Sequence, residues 1–374
     1  MGASLTARPL SVPGDHATTV SSAAEFEPER VDTFLRLSLG GLSGSMQIER
    51  VAGGQSNPTF FVTYSNRRLV LRKQPVGEIL ASAHAVDREY RILRALEDTD
   101  IPVPRALLFH PERDLVGTPF YVMERVEGRI FHEGSLPGVT ASERKSMYFS
   151  AAETLGRLHR VDWAAIGLAD YGKPGGYFDR QIKRWTRQWE ISKTREIGEI
   201  EVLAHWLRAN VPASDQTAIC HGDFRIGNLI FHPQEPRVVA ILDWELSTLG
   251  HPLADAAYSC LPWHTLPEWY GGIRGLEWRA LGIPSLEEYL DRYYEVANIE
   301  ARVEPFHIIF SLFRFAVILE GIAARAKAGN AKTLGRSDVF RSPMRGTPRS
   351  FWPRLRPWSV ITRHERSHKT QRSA

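Results

Sequence analysis

The sequence predicts an α+β fold in two lobes, a small antiparallel sheet followed by a larger and mostly helical part. Three observations lead there. Short strand-like runs, Met46 to Val51, Thr59 to Tyr64 and Arg68 to Arg72, fill the first third and are separated by Gly- and Asn-containing breaks. From Thr140 onward apolar residues recur at helical spacing, as in Ala151, Leu155 and Leu158. A further strand pair, Leu229-Ile230-Phe231 and Val238 to Leu242, interrupts the helical part and has polar residues at its open end. The expected division is a disordered N-terminus over 1–25, a small lobe over 26–127, a helical lobe over 128–331 and a basic, disordered tail over 332–374.

In chain order, residues 28–39 place Val31, Phe34, Leu35 and Leu39 on one helical face, and Gly40-Gly41 stops the helix. The loop Gly53-Gly54-Gln55-Ser56-Asn57-Pro58 lies between the first two strands. Its glycines let backbone N–H groups approach an anion, and Ser56 and Asn57 add polar side chains, so it is a candidate phosphate cover. Asn66-Arg67 turns the chain into the third strand. A helix from about Ala83 to Glu97 follows, with Glu89, Ile92, Leu93 and Leu96 toward one side. Ala106 to Phe109 and Phe120 to Glu124 read as two more strands, the second leading into a link that ends at Gly128. The segment 177–209 is rich in Trp and charge; Trp185, Trp189 and Trp206 read first as core residues. Phe306 to Ala324 is apolar but carries Arg314 and Glu320, which makes a buried helix the expectation over a membrane span.

Bulk properties set the class. The chain has 374 residues, 43% hydrophobic and 24% charged, as a globular protein has. Two cysteines, Cys220 and Cys260, do not make a disulfide framework, and residues 1–25 lack the apolar core of a secretory signal. A reducing, cytoplasmic location is the expectation. The net charge of +4 is uneven: residues 332–374 hold 11 basic and 2 acidic residues, so the body is mildly acidic. The basic tail reads as a solvated end, with no nucleic-acid or membrane partner expected.

The chemistry concentrates in His221-Gly222-Asp223-Phe224-Arg225-Ile226-Gly227-Asn228 and, after the strand pair, Asp243-Trp244-Glu245. Phosphoryl transfer needs one carboxylate to orient and deprotonate a hydroxyl, and an amide oxygen with a second carboxylate to hold Mg²⁺ on the nucleotide phosphates. A hairpin with Asn228 at the start of one strand and Asp243 beyond the end of the other puts both at one end of the ribbon. Magnesium keeps several waters, so two protein ligands plus phosphate oxygens suffice.

The Asp-to-Asn spacing resembles the protein-kinase catalytic loop, with His-Gly-Asp for His-Arg-Asp and Asp-Trp-Glu for Asp-Phe-Gly. Together with Gly53 to Thr59, Ser82 to Glu89 and Ile241 to Gly250, these motifs resemble the aminoglycoside phosphotransferase family. They look most like its branch found fused to certain acyl-CoA dehydrogenases. The resemblance covers residues 46–329 and implies a protein-kinase-like fold with ATP and Mg²⁺ between the lobes. It implies Asp223 as catalytic base, Asn228 and Asp243 as metal ligands, and Arg72 with Glu89 as the phosphate-positioning pair. Lys73 remains an alternative to Arg72. Gly54, Ser56 and Asn57 would cover the phosphates, and Met123, Glu124 and Val126 would meet the adenine. Asp255, after Gly-x-Pro-Leu, would support the catalytic loop. The family commonly has His-Pro where this chain has Arg225-Ile226, which argues against an aminoglycoside and for an anionic substrate. A small-molecule alcohol is the expected acceptor, a hydroxyacyl-CoA by the branch it resembles. The rival readings are a non-catalytic nucleotide-binding partner of fatty-acid oxidation enzymes and a kinase of an aminoglycoside or choline-type alcohol.

Overall fold

In a computed structural model of the chain, the described residues are 26–51, 57–76, 85–269 and 271–327. The expectations for residues 1–25, the loop residues Gly54 and Ser56, and the tail 332–374 lie outside them. The chain forms two compact units: one from the residues up to Asp87 with Leu107–Arg125, the other from Arg88–Ala106 with Val126 onward.

Among its described residues, the first unit is a five-stranded sheet with a helix. Strands β1 (Gln47–Arg50), β2 (Thr59–Thr63), β3 (Arg68–Lys73), β4 (Ala106–His110) and β5 (Phe120–Glu124) lie in the order β1-β2-β3-β5-β4, and β1, β2, β3 and β5 pair antiparallel. Helix α1 (Pro28–Leu39) starts on a proline, whose missing N–H has no intrahelical role there, and ends at Gly40 with φ 63°. The alternation of β2 and β3 turns Phe60, Val62, Leu69 and Leu71 toward Val31 and Leu35 of α1. The same alternation sends Lys73 into this core. Its Nζ donates to the Val116 carbonyl at 2.7 Å and lies 5.5 Å from the Phe26 ring centre. Arg72 is on the opposite face, half-buried.

The small-lobe boundary differs from the sequence reading in one segment. Helix α2 is described over Val86–Leu96, the expected start at Ala83 lying outside the described residues, and from Arg88 to Ala106 the chain groups with the second unit. Polar bonds tie this segment to the second unit: the Arg91 guanidinium binds the Gly167 carbonyl at 2.9 Å and the Asp170 carboxylate, and Ile241 N–H donates to the Pro102 carbonyl at 2.9 Å.

The second unit is mostly helical. Helix α3 (Ala141–Arg160), N-capped by the Thr140 hydroxyl, packs on α8 (Leu286–Ala297), which opens with a Ser285/Glu288 capping box. Helices α4 (Tyr177–Ser192), α5 (Gly198–Ala209) and α6 (Pro252–Ser259) pack on α9 (Pro305–Lys327), and α7 (Leu261–His264) follows α6. Two small sheets are inserted: β6 (Arg129–Ile130) with β8 (Leu229–Phe231) and β9 (Val238–Ile241), and β7 (Ala218–Cys220) with β10 (Thr248–Gly250). Helix α9 is long and apolar enough to span a bilayer, yet 72% of that stretch is buried in the fold. Its Glu320 carboxylate accepts from Thr194 N–H and Oγ1 at 2.7 and 2.6 Å. Both cysteines are free and buried, and burial pushes their thiols up, as befits core residues.

His251 and His307, 1% and 2% exposed, have rings 5.9 Å apart, and burial pushes each down to about 4. Their folded-state values lie below the unfolded value near 6.5, so the unfolded chain binds more protons between those limits. Stability from this source is present above pH 6.5 and is lost as pH falls toward 4. Denaturant unfolding at pH 7 and pH 5 should differ by up to about 2 kcal/mol per histidine. His307→Phe should flatten that dependence, and an unchanged slope would show that the pair does not carry it.

Candidate active site

The loop 221–228 is held by groups that reach its backbone. His221 N–H and Gly222 N–H donate to the two oxygens of Asp255, at 2.6 and 2.9 Å. The carboxylate sits on α6 and is 2% exposed. Burial raises its pKa, but the hydrogen bond and charge of His159, with His221 and the Gly222 N–H, bring it below its ordinary value on balance. His159 Nε2 lies 3.5 Å from Asp255, while its Nδ1 is 2.7 Å from the Tyr293 hydroxyl. His159, Cys220 and Asp255 are close enough to suggest a metal cluster. Each is engaged instead: both Asp255 oxygens take loop N–H groups, and the Cys220 thiol donates to the His251 carbonyl.

Gly222 has φ +85°, and a Cβ there would stand 2.6 Å from the Leu246 carbonyl oxygen, so only glycine fits. Its own carbonyl accepts from the Arg314 guanidinium of α9. Arg314 is 6% exposed and lies against the Trp185 and Tyr258 rings, at 5.4 and 4.9 Å. Burial works against its charge, but Tyr177, Tyr258, Asp223 and Asp255 more than offset that. His221 Nδ1 accepts from Asp223 N–H at 3.2 Å. Its Nε2 must then carry the proton and donate to the Leu242 carbonyl at 2.8 Å. One imidazole thus joins the loop 221–228 to the residue before Asp243.

Asp223 is 8% exposed. One of its carboxylate oxygens accepts from Asn228 Nδ2 at 2.8 Å and from Arg225 Nε at 3.3 Å. Asn228 Nδ2 also donates to the Asp223 carbonyl at 2.9 Å. The amide nitrogen is therefore committed to Asp223, which leaves the side-chain oxygen as the group able to meet a cation. Strands β8 and β9 pair Leu229 with Ile241, and Leu242 N–H donates to the Asn228 carbonyl at 2.8 Å. Asp243 is the next residue, in a left-handed backbone with φ 66° and ψ 59°, and starts a short 3₁₀ turn over Trp244–Leu246. The hairpin read from the sequence thus sets Asn228 and Asp243 at the same end. An amide oxygen and a carboxylate suit Mg²⁺, a hard cation that takes oxygen ligands.

Beside Asp223, Arg225 edges a small recess lined by Tyr258, Leu261, Pro262, Thr265 and Phe315. Its surface is mostly apolar, with a cationic rim. Arg314 and the recess share Tyr258.

The other expected residues are described within their own units. In the first, Asn57 is buried, Met123 is buried opposite Val70, and Glu124 pairs through its side chain with Arg67 at 3.0 Å. In the second, Glu89 is 1% exposed on α2 and Val126 is half-buried. Three residues of the loop's support were not singled out for it from the sequence: His159, Tyr293 and Arg314. Arg314 did carry a signal, since a charge inside an apolar helix must find partners.

Comparison with known proteins places this geometry. The family profile described as "Phosphotransferase enzyme family" matches residues 47–305. Acyl-CoA dehydrogenase family member 10 of Mus musculus is 40% identical over 87% of the chain, and family member 11 of Rattus norvegicus is 39% identical over 82%. The chain spans only 31% and 40% of those two relatives. A solved Ralstonia eutropha structure assigned to the aminoglycoside phosphotransferases is 41% identical, with TM-score 0.75, covering 84% of this chain and 94% of that one. Choline kinase from Cryptosporidium parvum shares the fold at 12% identity and TM-score 0.59, covering 87% of this chain and 98% of its own. With a family match across most of its length and a relative of 41% identity sharing the same two-lobed, kinase-like architecture, the chain belongs to the phosphotransferase enzyme family.

Proposed function

We propose that the protein transfers the γ-phosphoryl group of ATP to a hydroxyl of a small molecule, with Asp223 as base. The observation that carries this reading is the orientation of Asp223. Asn228 Nδ2 and Arg225 Nε both bond its carboxylate, which fixes the orientation of Asp223 in the same loop that places Asn228 at one hairpin end with Asp243. The acceptor oxygen attacks γ-phosphorus, the bond to the β–γ bridging oxygen breaks, and ADP leaves. Asp223 accepts the acceptor's proton late, because such transition states are loose and demand alignment more than base strength. Asn228 and Asp243 would hold Mg²⁺, which neutralises charge on the phosphates. In this reading Asn57, Arg72, Glu89, Met123, Glu124 and Val126 serve the nucleotide. Arg72 is preferred over Lys73 because Lys73 is engaged by Val116 in the sheet core.

For the acceptor we propose a hydroxyacyl-CoA. Two features support that class over an aminoglycoside or choline. Arg225, paired with Asp223, is a cation at the rim of the site that can meet an anionic or polar group of an acceptor. The recess beside Arg225 is lined mainly by apolar side chains, which is compatible with an acceptor that carries an apolar part. The names of the relatives point the same way. A nucleotide-binding module without turnover is the second reading, favoured by arginine at position 72, where kinases place lysine.

ADP release from Mg-ATP with a panel of hydroxyacyl-CoAs, aminoglycosides and choline tests these readings. Turnover with a hydroxyacyl-CoA is expected, and nucleotide binding without turnover on any acceptor would favour the module. Asp223→Asn should lower kcat by about 10²- to 10⁴-fold with nucleotide affinity retained; joint loss of nucleotide binding would contradict its role. Arg225→Ala should raise the acceptor KM by about tenfold or more and leave the ATP KM nearly unchanged. Equal effects on both constants would remove Arg225 from the acceptor side.

A further inference from the structure

Helix α2, which bears Glu89, and the turn that begins at Asp243 are joined by a three-residue clamp inside the second unit. Arg88, one residue before Glu89 on α2, donates through one terminal nitrogen to the Tyr171 carbonyl at 2.8 Å and to the Ser247 carbonyl at 3.3 Å. Its guanidinium stacks over the Tyr171 ring, 4.1 Å from the centre. Tyr171 is 1% exposed, and its hydroxyl lies 2.6 Å from Ser247 Oγ. Ser247 Oγ in turn donates to the Trp244 carbonyl at 2.6 Å. A serine has one hydroxyl proton, so Tyr171 is the donor to Ser247. The chain of bonds runs from α2, through the turn at Tyr171, to the carbonyl of the residue after Asp243. Gly172 lets the two segments meet, since a Cβ there would stand 2.7 Å from Leu249 N.

Asp243 needs such support. A non-glycine residue in the left-handed region costs of order 1 kcal/mol and persists only where its surroundings enforce it. The Ser247 hydroxyl and N–H both bond the Trp244 carbonyl, which closes the turn that Asp243 begins. Tyr171 orients that hydroxyl, and Arg88 holds Tyr171 from above and Ser247 at its carbonyl. All three are buried or half-buried, and their bonds reach the turn that Asp243 begins and the helix that carries Glu89.

We propose that Arg88, Tyr171 and Ser247 are positioning residues that fix Asp243 for the cation and couple its turn to the helix bearing Glu89. The inference rests on the reading of Asp243 as a metal ligand. Binding of a fluorescent ATP analogue to the purified full chain, titrated with and without Mg²⁺, tests it with Tyr171→Phe, Ser247→Ala, Arg88→Lys and Asp243→Ala. Tyr171→Phe and Ser247→Ala should each weaken the Mg²⁺ requirement by about fivefold, the loss of one hydrogen bond, while Mg²⁺-free nucleotide affinity stays within about twofold. A merely structural role would lower both together. Arg88→Lys should fall between Tyr171→Phe and the wild type, since it keeps charge and loses the stacked fork. Asp243→Ala should abolish the Mg²⁺ effect. Wild-type Mg²⁺ dependence in Tyr171→Phe and Ser247→Ala, with the effect lost in Asp243→Ala, would overturn the clamp alone. Wild-type dependence in Asp243→Ala would overturn the reading of Asp243 and the clamp with it.

Discussion

The bond pair from His221 and Gly222 N–H to Asp255 is the constraint on which the site depends. Two adjacent N–H groups can point at one carboxylate only if the backbone between them is sharply bent, and Gly222 supplies that bend at φ +85°. The carboxylate is buried, so its alternative to these bonds is an unpaired charge out of water, which costs several kcal/mol. That penalty makes the bent conformation the low-energy one. His159 and Tyr293 then hold Asp255 from behind, so α3 and α8 are tied to the same loop.

Much of this was legible in the sequence, for reasons that differ by element. The hairpin Leu229 to Ile241 was readable because two apolar runs flank a Pro-bounded turn, and its register alone sets Asn228 near Asp243. Helix α1 was readable from its periodicity, Pro28 and Gly40. The placement of Asp255 followed from family resemblance, and the structure gives it a physical basis. Strand β6 and the pairing of β7 with β10 were not visible, because strands of two or three residues carry no periodicity. The membership of Arg88–Ala106 was also hidden. The segment is tied there by Arg88 and Arg91 reaching carbonyls some 80 residues away in sequence, and nothing local encodes such partners.

Lys73 and Arg72 show how strand alternation separates two neighbouring cations that residue type does not. By charge, Arg72 and Lys73 are equal candidates. By strand geometry they face opposite ways, and the inward one is spent on the Val116 carbonyl and the Phe26 ring. Lysine suits that inward site because its long apolar stem can lie in the core while a single ammonium finds a carbonyl. Arginine on the other face offers a planar fork that matches phosphate oxygens.

A common logic links the buried polar side chains around the site: they end on backbone groups. Asp255 takes two N–H groups, Arg314 the Gly222 carbonyl, His221 the Leu242 carbonyl, and Arg88 the carbonyls of Tyr171 and Ser247. Backbone ends fix the path of the chain, whereas side-chain partners fix only rotamers. A loose phosphoryl-transfer transition state has little covalent chemistry for a protein to perform, and misplacement of the reacting groups by about 1 Å can cost about a hundredfold in rate. A fold serving that reaction gains most from holding its loops still. Burying charges to do so is expensive, and it is stable here because each buried charge meets a fixed dipole in place of water.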